Sequence, residues 1–592
     1  MKKKQMKASL LLVSLLTAGF LVTGCTNDDY DFDQIDATMG FGGGELEIPA
    51  SSTMNIPLSD ILELEENGSV KIAANGDYLF QLTGTDASTA SPKISPIHLT
   101  GRSYTNTITL GTSSAAKGTR AGTHLSFVSP KQQMFVYNGT DAAVKSLNSA
   151  EVDGEIVLNV NLALDGLSSA IATIDKVTIN LPVYLQISQV TGKGNGVPMV
   201  NGSKITVENV STSSDLRLTI KAKKLDFANQ NDYYGKVVIG NNGSIQMDGY
   251  FDLGIEANIT GVPTSALSIG ANVTVNDITL KSATGIFDPE INITSLGDVA
   301  VTGVPDFLSE DGVRADLDNP QIILSIKNDM DAAAKVSAKV ISTKNGQNLA
   351  TVQLPEMHIY KTTVTPVTKI CICRHKTAEL TAQYGAANVY EVSNLATLIN
   401  KHIPDHVQIT NVEAKADLSQ EMTIKFGYNY NVEPSYEVYA PLAFAEGAVI
   451  EYADDFDGWN DDLDELELAE GTYLRLTADA QNLVPATLIV EATPLGVNGA
   501  DISNQIEVNI KQGTVKASAD GVTAVTSPLE IELREKVKGA LQKLDGLSYK
   551  VKGKASHDGT KVTGINLNSK KHTLKLENIK VKLVGKVIGN FN

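Results

Sequence analysis

The sequence predicts a mainly β protein, built from tandem antiparallel β-sandwich-like domains with a C-terminal α+β domain. Short segments alternate apolar and polar residues along most of the chain, as in Leu216 to Ala222, which is the pattern of strands with one buried face. Asn-Gly pairs, such as those that begin at Asn75 and Asn345, separate several of these segments and are typical of tight hairpin turns. Helical periodicity is sparse.

The chain has 592 residues, enough for several domains at about 150 residues each. No strict internal repeat is visible. Composition and turn signals predict this division: a signal peptide over 1–24, an acidic and Gly-rich tether over 25–44, a β domain over 45–150, one or more β-sandwich-like domains over 151–365, and the C-terminal α+β domain over 366–592.

Two helices are predicted in the C-terminal domain. One is short and covers 394–399. The other runs from Leu529 to Leu544, because four apolar residues recur at steps of four, four and three and would form one stripe along a helix: Leu533, Val537, Leu541 and Leu544.

The N-terminus has the order of an export signal. Lysines precede an apolar run from Ala8 to Val22, which is shorter than the roughly 20 residues of a membrane-spanning helix. Val22-Thr23-Gly24-Cys25 resembles the lipobox of bacterial lipoprotein signal peptides. The resemblance implies cleavage after Gly24, a diacylglyceryl group on the Cys25 sulfur and acylation, for example by palmitate, of the new N-terminus. The alternatives are an ordinary secretory signal and an uncleaved anchor.

An acidic segment follows the cysteine, with five aspartates between Asn27 and Asp36. It resembles the surface-export signal of Bacteroidota lipoproteins. The resemblance implies that the protein lies on the outer face of the outer membrane and that four aspartates belong to the signal: Asp28, Asp29, Asp31 and Asp33. The alternative is a solvated tether that its own charges keep extended.

Charge is distributed unevenly along the chain. The net charge is -19, whereas the segment from Arg534 to the end has fourteen Lys and Arg against four acids, a net of +10, so the remainder carries -29. This basic segment is interpreted as a solvated sheet face. The alternative is a docking surface for an acidic partner, either an anionic glycan or the acidic part of this same chain.

The stretch from Glu451 to Glu470 has ten carboxylates in twenty residues. Calcium takes six to eight oxygen ligands, and an EF-hand-like register supplies three weak candidates: Asp455, Asp457 and Asp464. The first ligand position of that register falls on Ala453, so no metal is predicted. The segment is interpreted as a solvated acidic loop and short helix, with Trp459 and Leu463 packed inward.

Four tyrosines cluster in the C-terminal half and are the candidates for ligand stacking: Tyr428, Tyr430, Tyr436 and Tyr439. A row of exposed rings could stack on sugar rings, or the tyrosines could cover a sheet, which is the favoured interpretation. Cys371, Cys373 and His375 could hold a soft metal, but their spacing favours two buried thiols.

No catalytic motif is recognised, so the chain is more consistent with a non-enzyme, and no cofactor is predicted. The predicted function is a lipid-anchored, surface-exposed outer-membrane protein with a non-enzymatic binding or envelope-assembly role. One alternative is a glycan-binding or glycan-degrading accessory lipoprotein. Another is a fimbrial subunit or anchor, which would need a donor strand at one terminus; the strand-like end Ile579 to Ile588 leaves this open. Expected partners are the membrane through the lipid, and an envelope protein or a glycan, but no nucleic acid.

Overall fold

The computed structural model describes residues 38–590 except 41–43, 50–53, 63, 65–67, 85–88, 112–121, 165, 194–195, 261–266, 294, 306–307, 309–311, 400–401, 464–466 and 586. The signal peptide, Cys25 and the acidic segment after it therefore lie outside the described residues. The mainly β fold with several antiparallel sheets is confirmed. None of the described helices has the length and apolar character needed to cross a membrane.

The first module contains fifteen strands joined by hydrogen bonds into one sheet. Its inward side chains form a single buried cluster that begins at Ile94 and includes Phe135, Tyr184 and Phe251. The strands are His98–Gly101, Ser103–Gly111, His124–Val128, Gln132–Thr140, Val144–Ala163, Thr173–Asn180, Leu185–Lys193, Pro198–Asn201, Lys204–Ser211, Leu216–Asp226, Val237–Ile239, Ser244–Asn258, Leu267–Val275, Ile278–Phe287 and Met422–Lys425.

The second module is a sandwich of a six-stranded and a five-stranded sheet, with one buried cluster between them. In spatial order, the first sheet is Val389–Glu391, Val367–Cys373, Gln321–Asn328, Val432–Pro441, Tyr78–Thr83 and Val70–Ile72. The second sheet is Ser295–Ala300, His406–Ala416, Ala334–Lys344 and Gln347–Gln353, with Met357–Ile359 also paired to Ala334–Lys344.

The third module is also a sandwich of a six-stranded and a five-stranded sheet, and its buried cluster contains Trp459. The first sheet is Gly44–Pro49, Thr573–Gly585, Tyr473–Asn482, Val525–Glu535 and Ile506–Gln512, with Met54–Pro57 also paired to Thr573–Gly585. The second is Val449–Phe456, Leu544–Lys554, Thr487–Gly496 and Ala500–Asp501, with Thr514–Val515 paired to Thr487–Gly496. Smaller sheets join Thr38–Gly40, Val587–Asn590 and Glu467–Leu468, and Ser556–His557 with Thr560–Lys561.

The second and third modules share one pattern of strand pairing. In each, a central strand, Gln321–Asn328 or Tyr473–Asn482, pairs on both sides with strands that follow it in the chain. The last of these partners then pairs with a strand from the N-terminal part of the chain, Tyr78–Thr83 in the second module and Gly44–Pro49 in the third. The structure thus contains a repeated topology that the sequence does not reveal as a repeat.

In both modules the last residue of the central strand is an asparagine whose side chain hydrogen-bonds backbone groups beyond the strand. The buried Asn328 amide donates to the carbonyl oxygens of Met330 and Ala332 at 3.0 and 3.2 Å, and its own oxygen accepts from the Met330 N–H at 3.0 Å. In the third module Asn482 likewise donates to the Ala486 carbonyl oxygen and accepts from the Val484 N–H of the loop that follows it, and it also donates to the Lys516 carbonyl oxygen. These side chains satisfy the backbone groups of a loop that connects two buried strands.

Strand pairs and buried clusters cross the predicted boundaries at residues 150 and 365. The cluster of the first module continues from Ile94 to Phe287, and Tyr78–Thr83 pairs with Val432–Pro441 more than 300 positions later. Sequence composition could not indicate this arrangement, because it arises from pairing between strands that are distant in the chain.

The predicted hairpins at Asn75-Gly76 and Asn345-Gly346 are confirmed. At the second turn, Asn345 and Gly346 have φ angles of 49° and 75°. Two successive positive φ angles are what a two-residue hairpin loop requires, and asparagine and glycine tolerate them best.

The long helix predicted from Leu529 to Leu544 is wrong. Val525–Glu535 is a strand with hydrogen-bonded neighbours on both sides, and Leu541–Lys543 is a separate 3-10 turn. Gly539, with φ of +76°, breaks any helical continuation. Helices elsewhere in the described residues are short: Leu58–Ile61, Ala378–Tyr384, Asn460–Leu463, and the 3-10 turns Ala386–Asn388, Leu395–Leu398 and Val497–Gly499.

Candidate functional site

The four candidate tyrosines lie in three different environments. Tyr430 and Tyr436 are buried, with exposed fractions of 4% and 2%, whereas Tyr428 is 45% exposed. Tyr439 is half-buried on the strand Val432–Pro441. These four tyrosines therefore do not form one row of exposed rings.

The two buried tyrosines have structural contacts. The Tyr436 hydroxyl donates to the carbonyl oxygens of Gly297 and Val407 at 3.4 and 3.3 Å, which belong to the sheet that faces its own strand. The Tyr430 hydroxyl accepts a hydrogen bond from the Lys425 N–H at 2.6 Å. Burial raises the pKa of both phenols, so both remain protonated at neutral pH.

Tyr428 lies in a cleft of about 520 Å³ between the first and second modules. This volume is within the range of small-molecule sites. The lining combines two aromatic rings with charged and hydroxyl-bearing side chains: Glu151, Lys281, Ser282, Asp329, Asp331, Thr362, Thr363, Thr423, Lys425, Tyr428 and Tyr430. We call this feature the Tyr428 cleft.

One wall of the Tyr428 cleft is a row of residues across the first-module sheet. Glu151 is directly opposite Ser282, and Ser282 is directly opposite Lys425. Residues in register on neighbouring strands point to the same face. Three strands that are far apart in sequence therefore present a carboxylate, a hydroxyl and an ammonium group side by side.

The other wall belongs to the loops of the second module. The Asp331 carboxylate accepts from the Thr363 hydroxyl at 2.6 Å and from the Thr363 N–H at 3.3 Å. Asp329 accepts from the Asn431 N–H at 2.7 Å. The Thr362 hydroxyl donates to a backbone carbonyl, that of Met330, at 2.6 Å. These bonds fix the polar groups of the wall before any ligand arrives.

A tight turn positions Tyr428. Gly427 has φ of +68°, and a Cβ atom at this residue would lie 3.0 Å from the Pro96 ring, so the turn favours glycine. The Tyr428 ring meets Tyr430 edge to face, with centroids 4.9 Å apart and an interplanar angle of 71°. The Lys425 ammonium lies 5.3 Å from the Tyr428 centroid, a cation–π distance.

The acidic stretch after Glu451 differs in part from its prediction. Its first residues are not a loop: Val449–Phe456 is a strand paired with Leu544–Lys554, and Glu451 forms an ion pair with Lys550 of that partner strand. The short helix is present at Asn460–Leu463, and Trp459 and Leu463 are buried as expected.

The weak calcium candidates do not converge in the described part of this stretch. Asp455 and Asp457 are exposed, and Asp464 lies outside the described residues. The turn is held by Asp545, whose side chain accepts from the Gly458 and Asn460 N–H groups at 3.0 and 3.2 Å. Within the described residues, no three His, Cys, Asp or Glu side chains are placed to hold a metal ion.

Several basic residues of the C-terminal segment form ion pairs with acids of the same chain. Buried Glu451 pairs with Lys550 on the adjacent strand. Further ion pairs join this segment to acids of neighbouring strands and loops: Lys552 with Glu491 at 2.8 Å and Lys561 with Glu446 at 2.7 Å. At these three lysines the basic segment contacts acids of this same chain.

Cys371 and Cys373 are fully buried, together with Leu380 of the helix Ala378–Tyr384. His375 is exposed and does not join them. The neighbouring Cys373 thiol, and then burial, raise the pKa of the Cys371 thiol. The full burial of both thiols agrees with the interpretation of these cysteines as core residues.

Sequence reasoning identified the two tyrosines of the Tyr428 cleft but missed its other lining residues. Glu151, Lys281 and Asp331 have no local pattern that marks them, because strand pairing brings them together across more than 170 positions. The short strand Met422–Lys425, with Met422 and Ile424 buried, adds to the sheet of the first module and brings Lys425 to the cleft.

No protein-family model matches the chain, and no curated protein matches it. The chain is similar to a crystal structure of "a putative secreted protein" from Parabacteroides distasonis ATCC 8503, with 14% sequence identity and a TM-score of 0.35, over 52% of this chain and 90% of that chain. Similarity at this level does not define the function of the chain.

Proposed function

We propose that this chain is a lipid-anchored protein of the outer membrane that faces the cell exterior and has a non-enzymatic binding or envelope-assembly role. The observation that carries the proposal is the ordered sequence from Lys2 to Cys25, followed by the acidic segment. Several acyl chains at one site, at about 0.8 kcal/mol per buried methylene, would hold the protein at the membrane stably. The Tyr428 cleft gives the anchored body a candidate binding site.

Lipidation at Cys25 is tested by metabolic labelling with a clickable fatty-acid analogue. We expect label on the wild-type protein and none on Cys25→Ala, because the thioether to the diacylglyceryl group can form only at this sulfur. Cys371→Ala is the matched control and should remain labelled, since that thiol is buried in the fold. Equal labelling of wild type and Cys25→Ala would reject the anchor.

A second candidate function is a glycan-binding accessory lipoprotein. The specific observation in its favour is Tyr428, an exposed ring beside carboxylate and hydroxyl groups in one cleft. The fimbrial alternative has no such support among the described residues. It requires a donor strand at one terminus, and the C-terminal strand Thr573–Gly585 is paired on both sides within this chain, to Tyr473–Asn482 and to Gly44–Pro49.

A further inference from the structure

The Tyr428 cleft restricts the chemistry of its ligand through its charges. Three carboxylates, of Glu151, Asp329 and Asp331, outnumber the two ammonium groups of Lys281 and Lys425. A phosphate, sulfate or carboxylate ligand would meet a net negative lining and would be repelled. The cleft therefore favours a ligand without anionic groups.

The polar groups of the cleft also argue against an apolar ligand. Hydroxyl and carboxylate groups lie on both walls and ammonium groups on the first-module wall, and an apolar molecule would remove them from water without replacing their hydrogen bonds. A molecule with many hydroxyl groups, each able to donate and to accept, matches this lining. Carboxylates accept from sugar hydroxyls, and threonine and serine hydroxyls can do either.

The Tyr428 ring gives the cleft an apolar surface for the ligand. It is 45% exposed, its position is held by Tyr430 on one side, and the Lys425 ammonium lies near it. The exposed part of the ring is an apolar surface next to fixed polar groups. Pyranose rings have the same combination, an apolar face of C–H groups bordered by hydroxyls, and C–H groups pack favourably on an aromatic face.

We propose that the Tyr428 cleft binds a carbohydrate that has no carboxylate or sulfate groups, with one sugar ring packed on Tyr428 and its hydroxyls bonded to Asp331, Asp329 and Glu151. This inference rests on the proposed binding role and specifies its ligand class. It does not depend on the lipid anchor. Tyr430 acts as a positioning residue, because its buried ring supports Tyr428 from within the protein.

The test uses the chain from residue 26 onward, produced without lipid, on a printed panel of neutral, uronate-bearing and sulfated oligosaccharides, followed by calorimetry with the best binder. We expect a neutral oligosaccharide to bind, Tyr428→Ala to weaken binding about tenfold or more, and Tyr428→Trp to retain it. Tyr233→Ala is the matched control: Tyr233 is 53% exposed on the first module and outside the cleft.

Three results would overturn the proposal: no binding to any neutral oligosaccharide, binding only to anionic ones, or equal affinity of Tyr428→Ala and wild type. Unchanged thermal unfolding of Tyr428→Ala establishes that a loss of affinity does not come from misfolding. Because the assay uses unlipidated protein, its outcome is independent of the test of Cys25, and the two failures can be distinguished.

Discussion

We expect Leu533→Ala to lower the free energy of unfolding of the third module by about 2–5 kcal/mol, the usual cost of truncating a buried leucine. Leu533 is fully buried on the strand Val525–Glu535, in the same cluster as Trp459. Trp459 is the single tryptophan of the chain, so urea unfolding followed by its fluorescence reports on this module. The midpoint of that transition should move to clearly lower urea concentration.

Val537→Ala is the matched control, because its effect distinguishes the observed strand from the helix that sequence periodicity predicts. On a helix from Leu529 to Leu544, Val537 would share the buried stripe with Leu533, and both substitutions would destabilise the module. In the structure Val537 is 49% exposed, so its truncation should change stability by about 0.5 kcal/mol or less. Comparable losses for the two variants would contradict the described fold of this segment.

Asn482→Ala is expected to destabilise the third module by at least about 3 kcal/mol. The fully buried Asn482 amide donates to the carbonyl oxygens of Ala486 and Lys516, both at 3.0 Å, and accepts from the Val484 N–H at 2.8 Å. The substitution leaves three backbone groups without this partner, and each unsatisfied buried group costs about 1–3 kcal/mol.

Urea unfolding followed by Trp459 fluorescence measures this effect as well. Asn509→Ala is the control, since Asn509 is a half-buried asparagine of the same module that takes no part in these loop contacts. A small effect of Asn482→Ala, similar to that of Asn509→Ala, would show that the loop does not depend on the amide. Asn328→Ala tests the corresponding hydrogen bonds in the second module and is expected to lower its stability in the same way.

Local pattern was sufficient to predict strands and hairpins, because alternation and turn chemistry depend on neighbouring residues. Asn345-Gly346 predicted its hairpin for this reason. The pairing of Gly44–Pro49 with Thr573–Gly585 could not be predicted, since nothing local to either segment specifies the other. The helix predicted through Leu533 failed because sheet neighbours on both sides outweigh a four-residue periodicity.

The candidate site, too, could be predicted only in part from local sequence. Clustering in sequence identified Tyr428 together with Tyr430, Tyr436 and Tyr439, but burial gave the members of this cluster different roles. Sequence spacing treats all four as equivalent, whereas the turn at Gly427 exposes only the first of them in the cleft. Tyr436 is buried between the two sheets of the second module and Tyr430 in the cluster of the first, and spacing along the chain encodes neither position.

The central claim, that the protein is displayed on the cell surface, is tested most directly by adding protease to intact cells. We expect the wild-type protein to be degraded while a periplasmic marker survives, and the variant with Asp28, Asp29, Asp31 and Asp33 all replaced by Ala to be protected, because the acidic segment is the proposed export signal. Asp455→Ala, which removes an exposed carboxylate far along the chain, should be degraded like the wild type. Survival of the wild-type protein on cells whose periplasmic marker is intact would contradict surface display.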